Sequence, residues 1–368
     1  MAADSNTVVS MLGYVPLTTA VTQVMTELPR PLPDPFYNQT KDVLGYKYRR
    51  FLFRGTRQPS LFNMYGAPPR MAPQTPILKQ DVVMITSMEQ IGAGQEIFEL
   101  MHRYEDYTVV LNAEEELDRR AKDFALRSMN LRTTAIHSAV ALGYIYFNDA
   151  TGEILPSSSG ATLTVDMQIP AGNRVTSSVD WSNPAADITG YLSGFLTSST
   201  QNGYGRRPVW AICGKNIQGY VANNTSFQNY LARNTAFNEY YKNNNWLADG
   251  VLGLKWVKAQ DVYYERRDAS LATYFPDDQI TFFPELTRDV YELKQGSVPV
   301  PTKFAVNPTN TADFMGAIKD AVRNPVYGPY SYAWGQFVPI PQVHIVQGDT
   351  FFPDFPTPQS VWLLDTKP

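Results

Sequence analysis

Three histidines, one cysteine and a few carboxylate clusters are the groups in this sequence that could perform acid–base, nucleophilic or metal chemistry. His102, His137 and His344 stand far apart, and no pair has the i, i+4 spacing that sets two imidazoles on one helix face for a metal ion. His137 lies among apolar residues at helical spacing and reads as a core or interface histidine. Cys213 closes the apolar run that begins at Val209; a lone cysteine forms no disulfide within the chain and no CxxC metal clip, so it reads as a buried thiol of a reducing compartment. A nucleophilic pair of Cys213 with a histidine has no supporting motif. The sequence carries no Walker A loop, no GxGxxG and no GxSxG, and Gly92-Ala93-Gly94 has too few glycines to cradle a phosphate. Pro276-Asp277-Asp278 has the composition of a turn between strands rather than of a carboxylate metal site. The expectation is therefore no catalytic residue, no cofactor and no metal ligand, and a protein that is not an enzyme.

Two charged clusters call for a different explanation. Lys47, Arg49, Arg50, Arg54 and Arg57 alternate with Tyr46, Tyr48, Phe51 and Phe53. Taken alone, basic residues interleaved with aromatics are a nucleic-acid footprint. The net charge of −4 argues against a protein whose task is tight, salt-sensitive binding to nucleic acid. Glu114, Glu115, Glu116 and Asp118 form the acidic counterpart, placed where a helix is expected to begin and where the macrodipole favours anions. In a homo-oligomer one chain supplies both surfaces. The favoured expectation is that the basic segment meets a neighbour's acidic helix start, which makes these nine residues the candidates for contact between subunits. DNA contact and a merely solvated face are the weaker readings.

Composition points the same way. Charged residues make up 18% of the chain against about a quarter in ordinary soluble domains, and aromatics 13%. Interfaces favour aromatic residues and deplete charge, so much of the surface is expected to face other protein. The first thirty residues show no signal-peptide pattern, and no apolar stretch reaches the roughly 20 residues that span a bilayer.

The elements that must position these groups read as follows. Residues 18–28 place Val21, Val24, Met25 and Leu28 at helical spacing, and Pro29, Pro31, Pro33 and Pro35 then enforce an extended course. This helix is expected to dock on something other than its own chain. Two strand-like runs in 46–54 and 77–86 flank a Pro/Gly-rich tip and make a long hairpin, which as an isolated ribbon is marginally stable and needs a neighbour to lie on. Residues 112–148 carry a sustained helical repeat, with Asn112 as N-cap and Gly143 as a possible kink. Asn183-Pro184 is expected to cap a helix running to about 196. Short strands and helices follow, including 208–213, 215–222, 226–241, 252–257, 261–265, 279–283 and a helix at 311–322, then loops with short strands over 325–358 and a closing strand at 361–364. The mixture predicts an α+β fold.

The order of these pieces resembles the phage major capsid protein E family, the lambda-like branch of the Hong Kong 97-type capsid fold of tailed bacteriophages. The resemblance is carried by Leu17-Thr18-Thr19-Ala20-Val21 before the proline run, Arg54-Gly55-Thr56-Arg57-Gln58 and Tyr65-Gly66-Ala67-Pro68-Pro69-Arg70 in the hairpin, and Ala141-Leu142-Gly143-Tyr144-Ile145 leading into Thr164-Val165-Asp166. The segment from Val179 through Trp181, Asn183-Pro184 and Asp187-Ile188 is its most specific part, and 275–284 resembles a later strand. The helix departs from the family pattern at Arg132-Thr133-Thr134. The resemblance implies an N-terminal arm (1–44), an extended loop (E-loop, 45–100), a peripheral domain (101–179 and 336–368) with a spine helix at 113–148, and an axial domain (180–335). It implies a major capsid, or head, protein of the virion. Such a protein self-assembles in the host cytoplasm into pentamers and hexamers of an icosahedral shell around double-stranded DNA, without tight sequence-specific binding. Scaffold, decoration and portal proteins are the implied partners, and no membrane is involved. The rival reading is a carbohydrate-binding or tail-adhesin protein of a virion, suggested by exposed Tyr and Trp, and it predicts no long central helix.

Overall fold

The computed structural model describes residues 14–27, 30–45, 47–53, 77–93, 107–203, 205–259, 264–266, 269–298, 305–306, 325–336 and 342–368. The histidine at 102, the hairpin tip with Arg54 and Arg57, and the helix expected at 311–322 lie outside these residues.

The long helix dominates the fold, but not with the expected bounds. It runs Tyr107–Leu142, 36 residues and about 54 Å at 1.5 Å per residue. Asn112 is therefore not its N-cap, and Glu114, Glu115 and Glu116 stand beyond the first turn, so the macrodipole argument for them fails. Residues 144–148 are a strand, Tyr144–Asn148, and not the end of the helix. The helical repeat continues in phase through Tyr146, yet Gly143 adopts φ +66° and returns its N–H to Ala139 O at 3.0 Å, the left-handed C-terminal stop that glycine favours. The β-branched and aromatic run that follows prefers a pleated strand. It pairs with Glu153–Leu155 and Leu163–Asp166 in a three-stranded sheet.

All four carbonyls at the C-terminal end of the spine helix have partners. Beyond the Gly143 bond, Thr281 Oγ1 donates to Val140 O at 3.1 Å, Gln279 Nε2 donates to Ala141 O, and Arg174 Nη1 donates to Leu142 O at 2.5 Å. A helix end buried without such donors would leave unpaired acceptors in a dry interior. The three side-chain donors all belong to one five-stranded sheet, ordered Lys255–Lys258, Trp210–Cys213, Gln279–Phe283, Trp362–Asp365 and Arg174–Thr176. This sheet separates two cores by simple alternation. Ile212, Phe283 and Leu363 pack with the spine helix, while Ala211, Cys213, Ile280, Phe282, Trp362 and Leu364 pack with the helices beyond. Of those helices, Ile188–Asn202 is capped by Asp187, whose carboxylate accepts from Gly190 N, and not by Asn183. The segment expected as one helix at 226–241 is two, Thr225–Ala232 and Thr235–Asn244, each opened by an asparagine cap.

A seven-stranded sheet covers the other side of the spine helix. Its centre is the 13-residue strand Gln342–Asp354, paired on one edge with Ile85–Ala93 and on the other with Tyr330–Gln336. Much of 325–358 thus forms long strands rather than loops; among the described prolines, Pro325 and Pro329 directly precede strands, Pro353 lies opposite Leu293 next to the end of the longest, and Pro356 follows it. The N-terminal helix, Tyr14–Glu27, also departs from expectation. Val21 and Met25 are buried in the main core, and Thr18 Oγ1 both accepts from Ser331 N and donates to Ser331 O, so the helix packs on its own chain. After it, the prolines give way to a helical turn, Pro35–Asn38. Phe36 in this turn stands edge-on to Tyr291 (4.8 Å) and Phe283 (5.5 Å), and Tyr291 donates its hydroxyl to Phe36 O at 2.9 Å. Such aromatic pairs contribute about 1 kcal/mol each beyond burial.

Candidate interaction surface and its anchor

The hairpin forms as expected, with Lys47–Phe53 antiparallel to Ile77–Val83 and Arg50 opposite Gln80. The returning strand is interrupted at Met84; Ile85–Ala93 leaves the hairpin and joins the large sheet. Alternation gives the ribbon two unlike faces. Lys47, Arg49, Lys79, Asp81 and Val83 are exposed, whereas Arg50, Leu52 and Val82 are buried. The described part of the ribbon therefore lies against its own chain, which supplies the support that an isolated hairpin lacks.

The basic cluster is split by this alternation. Arg49 Nε reaches Asp81 Oδ1 across the ribbon at 2.8 Å, an exposed pair in which the hydrogen bond and charge of Asp81 raise the arginine pKa. Lys47 is exposed on the same face. Arg50 is not a surface residue at all: it is 1% exposed. Its Nε stands 2.5 Å from Asp354 Oδ1, an ion pair approached off the N–H axis, and its Nη2 donates to Phe355 O (2.9 Å) and Met167 O (3.2 Å). Lys294 Nζ lies 3.9 Å from the other Asp354 oxygen and contacts Glu292, which Lys41 approaches at 3.8 Å. Burial pushes the Asp354 carboxyl up, and Arg50 and then Lys294 oppose that shift. The side chains of Glu114, Glu115, Glu116 and Asp118 lie outside the described residues.

A second buried pair joins the spine helix to the same long strand. Arg132 grips Asp349 through Nε and through Nη2 (2.8 Å to Oδ1), with Ser128 donating to Asp349 at 3.2 Å and the Phe351 ring 5.5 Å from the guanidinium carbon. Asp349 and Asp354 fall in a run whose composition predicts loops, where a carboxylate carries no sign of burial. The available signal was a carboxylate set among phenylalanines, Phe351, Phe352 and Phe355, where only a paired charge is tolerated.

Cys213 and His137 are in inert settings. Cys213 is fully buried, which pushes its thiol up, and His137 is buried beside Phe275 with its Nε2 unpartnered. The Pro276–Asp278 segment is a turn whose Asp278 carboxylate accepts from Asn216 (2.8 Å) and Tyr220 (2.5 Å) and pairs with Lys367 (3.1 Å). Among the described residues no group of three or more His, Cys, Asp or Glu side chains could hold a metal ion, and no helix is long and apolar enough to cross a membrane.

No family model matches the chain, and no curated protein matches it in sequence. Solved structures do resemble it. A protein of Escherichia coli CFT073 described as a prophage capsid protein aligns over 96% of this chain and 98% of its own, with a TM-score of 0.56 at 9% identity. A phage-related protein of Bordetella bronchiseptica RB50 aligns over 95% and 96% (TM-score 0.45, 9% identity), and a virus-like particle from Pyrococcus furiosus over 95% and 98% (TM-score 0.41, 9% identity). The first of these likenesses shows a shared fold along nearly the whole chain, the α+β fold of Hong Kong 97-type shells.

Proposed function

We propose that this chain is the major capsid subunit of a tailed bacterial virus, assembling with copies of itself into the pentamers and hexamers of an icosahedral shell that encloses double-stranded DNA. The observation that carries the reading is the near-complete match of fold to a prophage capsid protein. The two-stranded ribbon, with an exposed charged outer face, supports it, since a surface of that kind suits contact with a neighbour. The division into arm (1–44), extended loop (45–100), peripheral domain (101–179 and 336–368) and axial domain (180–335) belongs to this proposal. So do Lys47, Arg49, Arg54 and Arg57 as contacts toward a neighbour's Glu114, Glu115, Glu116 and Asp118; Arg50 is withdrawn from that set because its charge is already paired inside its own subunit. Scaffold, decoration and portal proteins are the proposed partners, the virion is the proposed location, and assembly takes place in the host cytoplasm. The net charge of −4 suits a wall that encloses DNA without gripping it.

The tail-adhesin alternative predicted no long central helix, and a 36-residue helix lies at the centre of this fold. The deciding experiment is negative-stain microscopy of the protein expressed alone and with its neighbouring genes. Closed shells or their ring-shaped capsomers are expected. A protein that stays monomeric under both conditions and binds immobilised glycans would overturn the reading.

A further inference from the structure

The hairpin joins the rest of the subunit through a narrow neck. On the outgoing chain, Gly45 has φ +83° with open space where a Cβ would be, and Leu44 beside it is exposed. Gly45 N donates to Ser297 Oγ at 2.6 Å, and Gly45 O accepts from Ser297 N at 3.3 Å. On the returning chain, Met84 is buried, and a Cβ on Gly296 would stand 2.7 Å from its sulfur. Both crossings therefore meet one rung of the sheet, Gly296–Ser297. Beyond the neck, the charged group on the inward face of the ribbon among the described residues is Arg50, which depends on Asp354 and two carbonyls of the subunit body.

We propose that the Arg50–Asp354 pair is a latch that sets the angle of the hairpin to the large sheet, with Gly45 and Met84 as the points about which the hairpin swings when the latch is undone. A buried guanidinium that loses its carboxylate is costly to keep dry. The whole subunit need not unfold to relieve it. Arg50 is carried by the ribbon alone, so lifting the ribbon about its neck returns the charge to water at the cost of uncovering Tyr48, Leu52 and Val82 at the edge of the main core, while the rest of both cores stays packed, and such local opening costs less than global unfolding. Glu292 does not replace Asp354 in this role, because it is already shared by Lys294 and Lys41. In a shell, the latched angle would be the one at which a subunit offers Lys47 and Arg49 to its neighbour; this consequence alone rests on the capsid reading.

The test is hydrogen exchange on the full-length subunit, comparing Asp354→Asn with Arg50→Met. Asp354→Asn strands the charge, and amides within 47–53 and 77–83 are expected to exchange at least tenfold faster than in the parent, with the five-stranded sheet unchanged. Arg50→Met removes the charge itself, and its hairpin amides are expected to stay protected. Equal exchange in the two variants, or faster exchange spread evenly over both sheets, would overturn the latch. So would an Asp354→Asn chain that fails to fold while the Arg50→Met/Asp354→Asn chain folds, since the hairpin could have lifted and did not. These outcomes are read on the free subunit, so a failure to form shells would count against the capsid reading and leave the exchange result intact.

Discussion

Acid should weaken this fold through His137 by an amount that can be worked out. The side chain is 2% exposed, lies in a stretch of the spine helix where every residue from 132 to 141 is buried, and faces the Phe275 ring edge-on. Burial is the cause of its pKa falling from 6.5 to about 4. The imidazole is therefore neutral in the folded chain at pH 5, while the unfolded chain already binds the proton. Stability is complete above 6.5, declines as pH falls through that value, and has lost its full share below about 4, where both states are protonated. That share is about 3 kcal/mol, a large part of the 5–15 kcal/mol by which domains are usually stable. His137→Leu removes the titration. Leucine lacks the ring contact with Phe275, but that loss is the same at every pH. The assay is urea unfolding of the parent and the variant at intervals between pH 7.5 and 4, and the quantity of interest is the difference between them, in which the carboxylates common to both chains cancel. The difference should shift in favour of His137→Leu by about 3 kcal/mol across that range. Parallel stability curves would refute the reasoning, because they would mean that the folded chain accommodates the imidazolium.

Three further outcomes are expected. Arg132→Met leaves Asp349 buried and unpaired and should cost about 3–5 kcal/mol in denaturant unfolding, whereas Arg132→Met/Asp349→Leu should recover most of it. Gly143→Ala should lower the melting temperature, since alanine resists φ +66° by about 1–2 kcal/mol and its Cβ would stand 2.5 Å from Arg174 Nη2 and 2.9 Å from Ile169 Cδ1. Lys47→Glu with Arg49→Glu should leave the melting temperature of the free subunit nearly unchanged, because both residues are exposed. The same pair should block shell formation under the microscope, and normal shells from it would remove these residues from the interface.

The sequence was most legible where a local rule and the tertiary contacts agree. The strand predicted at Gln279–Phe283 has its observed bounds, because a turn motif precedes it and a proline follows it. The hairpin and the spine helix were legible as elements, but their ends were not. Tyr146 keeps the helical period, and the helix stops because Gly143 turns left-handed, with Arg174 from another strand holding the neighbouring Leu142 carbonyl. The N-terminal helix shows the same limit. Its Val21 and Met25 stripe is plain in the sequence, but that the stripe belongs to its own chain follows from a bond to Ser331, some three hundred residues away. The basic cluster failed for a simpler reason: Arg49 and Arg50 are neighbours in sequence and opposites in a strand, so one pairs in water with Asp81 and the other in the interior with Asp354.

That last contrast bears on how one subunit of the proposed shell could be both rigid and adaptable. Buried ion pairs add little net stability compared with well-packed apolar residues, and breaking one is expensive. Their use is then to fix geometry. The two arginines buried among the described residues end on one strand, at Asp349 and Asp354, and they come from the spine helix and the hairpin, the two elements whose relative position would matter most in the proposed shell. The donors that close the spine helix, Thr281, Gln279 and Arg174, tie its far end to the five-stranded sheet in the same manner. A subunit wired in this way can hold its helix and both sheets as one body. In the proposed shell, bending of the hairpin between five-fold and six-fold environments would have to release the Arg50–Asp354 pair and turn at Gly45 and Met84.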